Sequence, residues 1–257
     1  GPSGKESGTL PTVGHEVDPH LTFVCVMPPT RPTLKYFAFR GRALAARIAL
    51  FNSLGREGWK DERLSLPRFK KNQKAEQLGP ARVNAEYITN NLPQLDLPCG
   101  TKVSQSHAIA RYAARLTPPS APRHHDPELY PTDPTRALLV DEAIATVDQI
   151  LLLTPKEADE AARARSREAY QATGFLRVGL ELLEGRIASS GGPFLLGEQL
   201  TIADLYIRSP LCDLFDLKQF DGVGPDFIEQ FPHVQACGAA VLEHPLLAAY
   251  KEAGYKS

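Results

Sequence analysis

The sequence has almost no net charge: 29 Lys and Arg stand against 30 Asp and Glu in 257 residues. That balance argues against a polyanion-binding surface spread over the whole molecule and leaves room only for local patches. Long hydrophobic runs are also missing. No uninterrupted apolar stretch approaches the roughly 18 residues needed to cross a bilayer. The nearest, Leu21 to Met27, contains Thr22 and follows Glu16, Asp18 and His20 instead of a basic segment, so it makes a poor secretory signal. Cysteine is scarce, and Cys25, Cys99, Cys212 and Cys237 form no CxxC pair. This excludes a disulfide scaffold and a structural zinc site of the usual spacing, and reduced thiols in an intracellular protein are expected. What is present is an ordinary globular composition, 42% apolar and 23% charged, which supplies a sizeable core. The length fits one large domain or two small ones.

Residues 1–31 are rich in Gly, Pro and Thr with little periodicity, and read as a flexible extension. From Thr33 to Phe39 an aromatic, partly alternating run predicts a strand, broken at Arg40-Gly41-Arg42. Leu44, Ala45, Ile48, Ala49 and Phe51 then recur at helical spacing, with Gly55 as a stop signal. Trp59 to Leu66 predicts a second strand. Leu92 to Leu97 and Lys102 to Ser104 predict a hairpin around Pro98-Cys99-Gly100, and Gln105 to Leu116 an amphipathic helix. Between these lie 25 polar residues, 67–91, longer than an ordinary structureless loop.

Five prolines within 117–131 read as a stiff linker. Beyond it every periodic segment is helical: Leu138 to Leu153, a long stretch from Lys156 to Ile187, a helix from Thr201 to about Leu217, and Phe231 to Tyr250. Thr201 and Asp204 have the spacing of a capping box, and Pro210 is expected to kink the helix they open. The expected organisation is a flexible extension (1–31), an α/β domain (32–116), a linker (117–131) and an all-helical domain (132–257).

Three motifs, in this order, resemble the cytosolic glutathione transferases. Tyr36-Phe37-Ala38-Phe39-Arg40-Gly41-Arg42 is similar to the first strand and turn of the Tyr-type classes. Leu92-Pro93-Gln94-Leu95, followed by Ser104 to Tyr112, is similar to their glutathione-holding segment, most like the sigma class. Gly197 to Asp204 is similar to the buried capping motif of their helical domain. The resemblance spans roughly residues 34–250. It implies an α+β two-domain fold, with an N-terminal thioredoxin-like α/β domain followed by an all-α domain. It further implies glutathione as substrate, no metal, a hydrophobic electrophile as second substrate, a cytoplasmic homodimer, and no nucleic-acid or membrane partner.

Glutathione carries two carboxylates, an α-amine and a thiol, and the residues divide accordingly. The resemblance makes Tyr36 the catalytic residue: a phenol of pKa near ~10 stays protonated and donates to a thiolate. Arg42, at the helix start, would add positive potential near the sulfur. Gln105 and Ser106 open a helix directly after a strand, where free N–H groups suit a carboxylate. Asn91, Leu92 and Pro93 would meet the cysteinyl backbone of the ligand, with Pro93 expected in cis. Lys70 would meet the glycyl carboxylate. Leu66 stands where the sigma family usually has a Trp, which predicts a weaker glycine end. Asp148, contributed by the partner subunit, would meet the γ-glutamyl amine, with Asp141 as the fallback. Phe37, Phe39 and the first long helix after the linker would line the acceptor pocket. Two other readings stay open: a glutathione-dependent isomerase of the prostaglandin D synthase kind, and a non-catalytic transferase-like assembly module.

Overall fold

A computed structural model describes residues 30–67, 91–116, 128–218 and 220–255. The N-terminal extension up to residue 29, Lys70 with most of the 67–91 stretch, and most of the proline-rich linker lie outside the described residues.

Among the described residues four strands form one mixed sheet in the order β2-β1-β3-β4. Strand β1 (Thr33–Phe37) runs parallel to β2 (Lys60–Leu64) and antiparallel to β3 (Gln94–Asp96), which pairs with β4 (Lys102–Ser104). Alternation along β1 turns Leu34 and Tyr36 inward, while Lys35 pairs with Asp96 at 2.7 Å. A 3-10 turn (Gly41–Ala43) leads into α1 (Leu44–Leu54), which forms the crossover between the two parallel strands. Gly55 ends α1 at φ 66°, and its N–H donates to the Phe51 carbonyl.

The helices that follow are α2 (Ser106–Arg115), α3 (Pro134–Leu153), α4 (Glu160–Ala172), α5 (Phe175–Ala188), α6 (Ile202–Tyr206), α7 (Asp213–Asp216), α8 (Pro232–Glu243) and α9 (Pro245–Glu252). Helix α1 packs against α2, α6 and α9 as well as being linked to the sheet, so Leu44 to Ser53 are all buried. One hydrophobic core runs from Leu34 and Ile48 through Ile109 to Val140, Leu205 and Val241 without interruption.

Two helices expected to be continuous are split. The 156–187 stretch breaks at Thr173-Gly174, between α4 and α5. The 231–250 stretch breaks at His244, whose extended backbone (ψ 136°) is what a following proline favours. The Thr201–Asp204 capping box is present: Asp204 Oδ2 accepts from the Thr201 N–H at 2.8 Å and its Oδ1 accepts from the Leu195 N–H at 2.7 Å. Pro210 does break its helix. Regular α structure stops at Tyr206, passes through a wider turn (Ile207–Cys212) with Ser209 extended at φ −145°, and resumes at Asp213. The Leu92–Pro93 and Ser209–Pro210 peptide bonds are both cis.

Candidate active site

Strand β1 ends with the Tyr36 side chain turned inward, and the chain then has six residues in which to reverse into α1. Arg47, buried on α1, holds that reversal. Its guanidinium donates to the carbonyls of Phe37 and Phe39, each at 2.7 Å, and to Asp61 at 3.1 Å. It also lies 5.6 Å from the centre of the Tyr36 ring. Nothing in the sequence pattern marks Arg47, because its partners come from the preceding turn and from β2.

The Tyr36 hydroxyl accepts the backbone N–H of Arg42 at 3.1 Å. That bond occupies an oxygen lone pair and leaves the phenolic hydrogen free to be donated elsewhere. Burial pushes the phenol pKa above its ordinary value, while the Arg42 N–H and the charges of Arg42 and Arg47 oppose the rise. The group is therefore a neutral donor at physiological pH. Gly41 sits at φ 41°, and a Cβ there would lie 2.5 Å from the Tyr36 hydroxyl oxygen and 2.8 Å from the Phe39 ring.

Two cavities meet at Tyr36. The first, about 410 Å³, is lined by Tyr36, Phe37, Arg42, Asn91, Leu92, Gln105, Ser106, Asp148 and Leu152. It gathers seven of the nine expected glutathione-site residues. Pro93 is not in its wall, though Leu92 before it is, and Lys70 lies outside the described residues. Gln105 precedes α2 with φ at 95°, a region costly for a residue with a side chain. Ser106 follows it in the cavity wall and is almost fully buried. The chain's own Asp148, on α3, reaches this cavity and forms an ion pair with Arg42. The fallback, Asp141, is occupied elsewhere by Arg111 at 2.7 Å and Tyr130 at 3.0 Å.

The second cavity, about 490 Å³, is lined by Tyr36, Phe39, Arg40, Gly41, Arg42, Leu151, Pro210, Asp213, Leu214 and Leu217. Phe39 and α3 contribute as expected, whereas Phe37 faces the first cavity. Residues 210–217 were not foreseen in this role. They arrive because the break at Pro210 redirects the chain over Gly41, with the Ser209 hydroxyl 3.2 Å from the Gly41 carbonyl and 2.6 Å from Asp213. Asp213 also accepts from Arg40 at 2.8 Å and Arg208 at 2.7 Å, tying the β1–α1 turn to the helices. Leu66 is half exposed and Trp59 is buried against Tyr255, and neither lines either cavity.

Among the described residues no helix is long and apolar enough to cross a membrane, and no three His, Cys, Asp or Glu side chains gather as a metal site.

Residues 149–254 match the family model for the glutathione S-transferase C-terminal domain. Curated relatives include S-crystallin 2 of Enteroctopus dofleini, 25% identical across 85% of this chain and 94% of the relative. Among solved structures, rat hPGDS complexed with a quinoline superposes with a TM-score of 0.63 at 22% identity, covering 88% of this chain and 98% of that one. Prostaglandin synthase D of Nilaparvata lugens gives 0.64 at 20% identity, covering 86% and 97%. The molecule thus has the glutathione transferase fold, a thioredoxin-like layer joined to an all-helical one. The family-model match lies in the helical part of the chain, and the similarity to the curated relatives extends over most of it.

Proposed function

We propose that the chain is a glutathione transferase that activates the glutathione thiol at Tyr36 and delivers it to a small apolar electrophile. One observation carries this reading: the two cavities share Tyr36, and its hydroxyl keeps a hydrogen to donate because the Arg42 N–H already occupies an oxygen lone pair. Glutathione fits the 410 Å³ cavity with its γ-glutamyl carboxylate at Ser106 and Gln105. Its α-amine meets Asp148 of the same chain, and its cysteinyl backbone meets Asn91 and Leu92. Lys70 is the proposed partner of the glycyl carboxylate. The electrophile occupies the 490 Å³ cavity against Phe39, Leu151, Leu214 and Leu217.

The size of the tyrosine effect explains why the second cavity matters. A thiol of pKa ~8.5 is about 3% thiolate at pH 7, and lowering it by ~2 units raises that to about 75%. Weaker basicity returns roughly 6- to 10-fold of this 25-fold gain, at a Brønsted slope of ~0.4–0.5. The net advantage at saturating glutathione is only a few-fold, so most acceleration comes from holding thiolate and electrophile together.

The same reading takes in two domains joined across 117–131, a homodimer and a cytoplasmic setting. The test is conjugation of glutathione to an aryl halide by wild type and Tyr36→Phe, with retention on glutathione resin followed in parallel. Retention by both, with conjugation impaired in Tyr36→Phe, is expected. Failure of wild type to be retained would overturn the proposal in favour of a non-catalytic module. Retention without conjugation would overturn it in favour of a reaction that recycles glutathione, such as isomerisation of a lipid endoperoxide.

A further inference from the structure

A third cleft, of about 400 Å³, shares no lining residue with the two cavities at Tyr36. It forms where the α1–β2 loop, β2 and the tail beyond α9 meet, and the charged groups in its walls are Arg31, Arg56, Lys60 and Arg63 against Glu57 and Asp61. The two acids are unequal. The Asp61 side chain is 5% exposed and already accepts from Arg47 at 3.1 Å and Arg63 at 2.9 Å, so two guanidinium groups compensate its one charge. The Glu57 carboxylate stands in solvent, 3.7 Å from Arg31 and 3.5 Å from Arg56. Both contacts are longer than the roughly 2.7–2.9 Å of a close charge-assisted bond. Lys60 has Glu62 at 3.8 Å, a loose contact again.

Two of these cations are positioned without being neutralised. Arg31 Nη1 donates to the Glu57 carbonyl at 2.7 Å, which fixes the guanidinium but leaves its charge. The Tyr255 hydroxyl donates to the Arg56 carbonyl at 2.9 Å and so pins the loop that carries Arg56. Tyr255 in turn stacks on Trp59, with ring centres 5.3 Å apart. Trp59 is in the wall as well, 1% exposed, and its indole N–H is buried with no acceptor among the described residues. An indole N–H can only donate, as can a guanidinium or an ammonium group. The cleft is therefore short of acceptors, with donors on Arg31, Arg56, Lys60 and Trp59 facing one loosely held carboxylate. Its complement is an acceptor-rich group carrying more than one negative charge. A phosphate monoester has about −1.5 to −2 charges at pH 7 and three acceptor oxygens, and the arginine fork matches its geometry.

We infer that this cleft is a binding site for a soluble phosphate monoester, held by Arg31, Arg56 and Lys60 with the Glu57 carboxylate displaced into solvent. The whole chain carries a net charge of −1, so the local excess of cations does not follow from a basic composition. The soluble source is favoured over a lipid headgroup by the rim. Among the described residues none of the exposed large apolar side chains lines the cleft, so no group is placed to enter acyl chains beside it. The site uses none of the residues assigned to glutathione and stands independently of the transferase reading.

The test uses the full chain in phosphate-free buffer at fixed ionic strength, titrated with inorganic phosphate and read by calorimetry. Saturable binding of phosphate, absent when chloride is titrated instead, is expected, and Arg56→Gln should weaken it about 5-fold or more. Arg186→Gln removes the same charge from an exposed pair with Glu142 outside the cleft, and should leave the Kd within about 2-fold of wild type. Absence of saturable binding, an unchanged Kd in Arg56→Gln, or an equal loss in both variants overturns the proposal and leaves the cleft as a solvated basic face. Phosphatidylcholine vesicles carrying phosphatidic acid present the same group from a membrane. No sedimentation of the protein with them is expected, and sedimentation that is lost in Arg56→Gln would overturn the soluble assignment.

Discussion

At the scale of single residues the site rests on direction as much as on identity. Tyr36 does not need a shifted pKa of its own to work; burial keeps it neutral, and the Arg42 N–H decides which way its hydrogen points. This gives a distinctive pH signature. If the phenol lowers the bound thiol by ~2 units, Tyr36→Phe loses thiolate at low pH but leaves each remaining thiolate more nucleophilic. At saturating glutathione the variant should be about 10-fold slower at pH 6, and the deficit should vanish between about pH 7.5 and 8. A pH–rate profile of both proteins checks this. A deficit that persists undiminished at pH 9 would mean that the hydroxyl positions the sulfur and does not merely set its charge.

At the scale of elements, several helix ends are secured by side chains from other parts of the chain. The Glu184 carboxylate on α5 accepts from the N–H groups of His233 and Val234, at 3.0 and 2.9 Å, so it caps the N-terminus of α8. Partial burial works to raise its pKa, but the His233 and Val234 bonds prevail and hold it below the ordinary value. With the folded value below the unfolded one, its contribution is present above about pH 4.5 and is lost as pH falls through the folded value. Glu184→Gln should therefore reduce stability at pH 7 by about 1 kcal/mol and flatten the acid limb of the stability profile. Urea unfolding at a series of pH values measures both.

Elements are also where sequence and structure can be compared most usefully. The β1–turn–α1 unit, the hairpin, the Thr201–Asp204 box and the break at Pro210 were legible, because each is set by neighbours within a few residues. So was the set converging on the first cavity, through its motifs. Arg47 and Asp213 were not legible. Arg47 looks like a misplaced charge on a buried helix until Asp61 and two carbonyls of the turn are brought to it. Asp213 has Arg208 nearby in sequence, but Arg40 reaches it only through tertiary folding. That the chain's own Asp148 lines the first cavity and pairs with Arg42 is likewise a tertiary outcome, which no local pattern states.

At the scale of the molecule, the α/β layer and the helices share one core, with α1 enclosed by both. Two domains by chain order need not be two units of stability. Trp59, the single tryptophan, is buried beside β2 and stacks on Tyr255, so its fluorescence reports the sheet side. Far-ultraviolet circular dichroism reports chiefly the helices. The shared core leads us to expect both signals to change at the same urea concentration, in one transition. Midpoints separated by more than about 0.5 M would mean that the helical part unfolds independently, since domain midpoints scale with their own stability.

Gly41 has a consequence for how this site tolerates change over generations. A methyl group there would occupy space already taken by the Tyr36 hydroxyl and the Phe39 ring, on a backbone at φ 41°. The first collision is with the reactive group itself. Selection for conjugation in a library randomised at position 41 should therefore return glycine almost exclusively, and purified Gly41→Ala should remain folded while losing at least about 10-fold in kcat/KM. A position with no functional group of its own would then look as constrained as the tyrosine, and a lineage released from catalysis would be free to lose the glycine first.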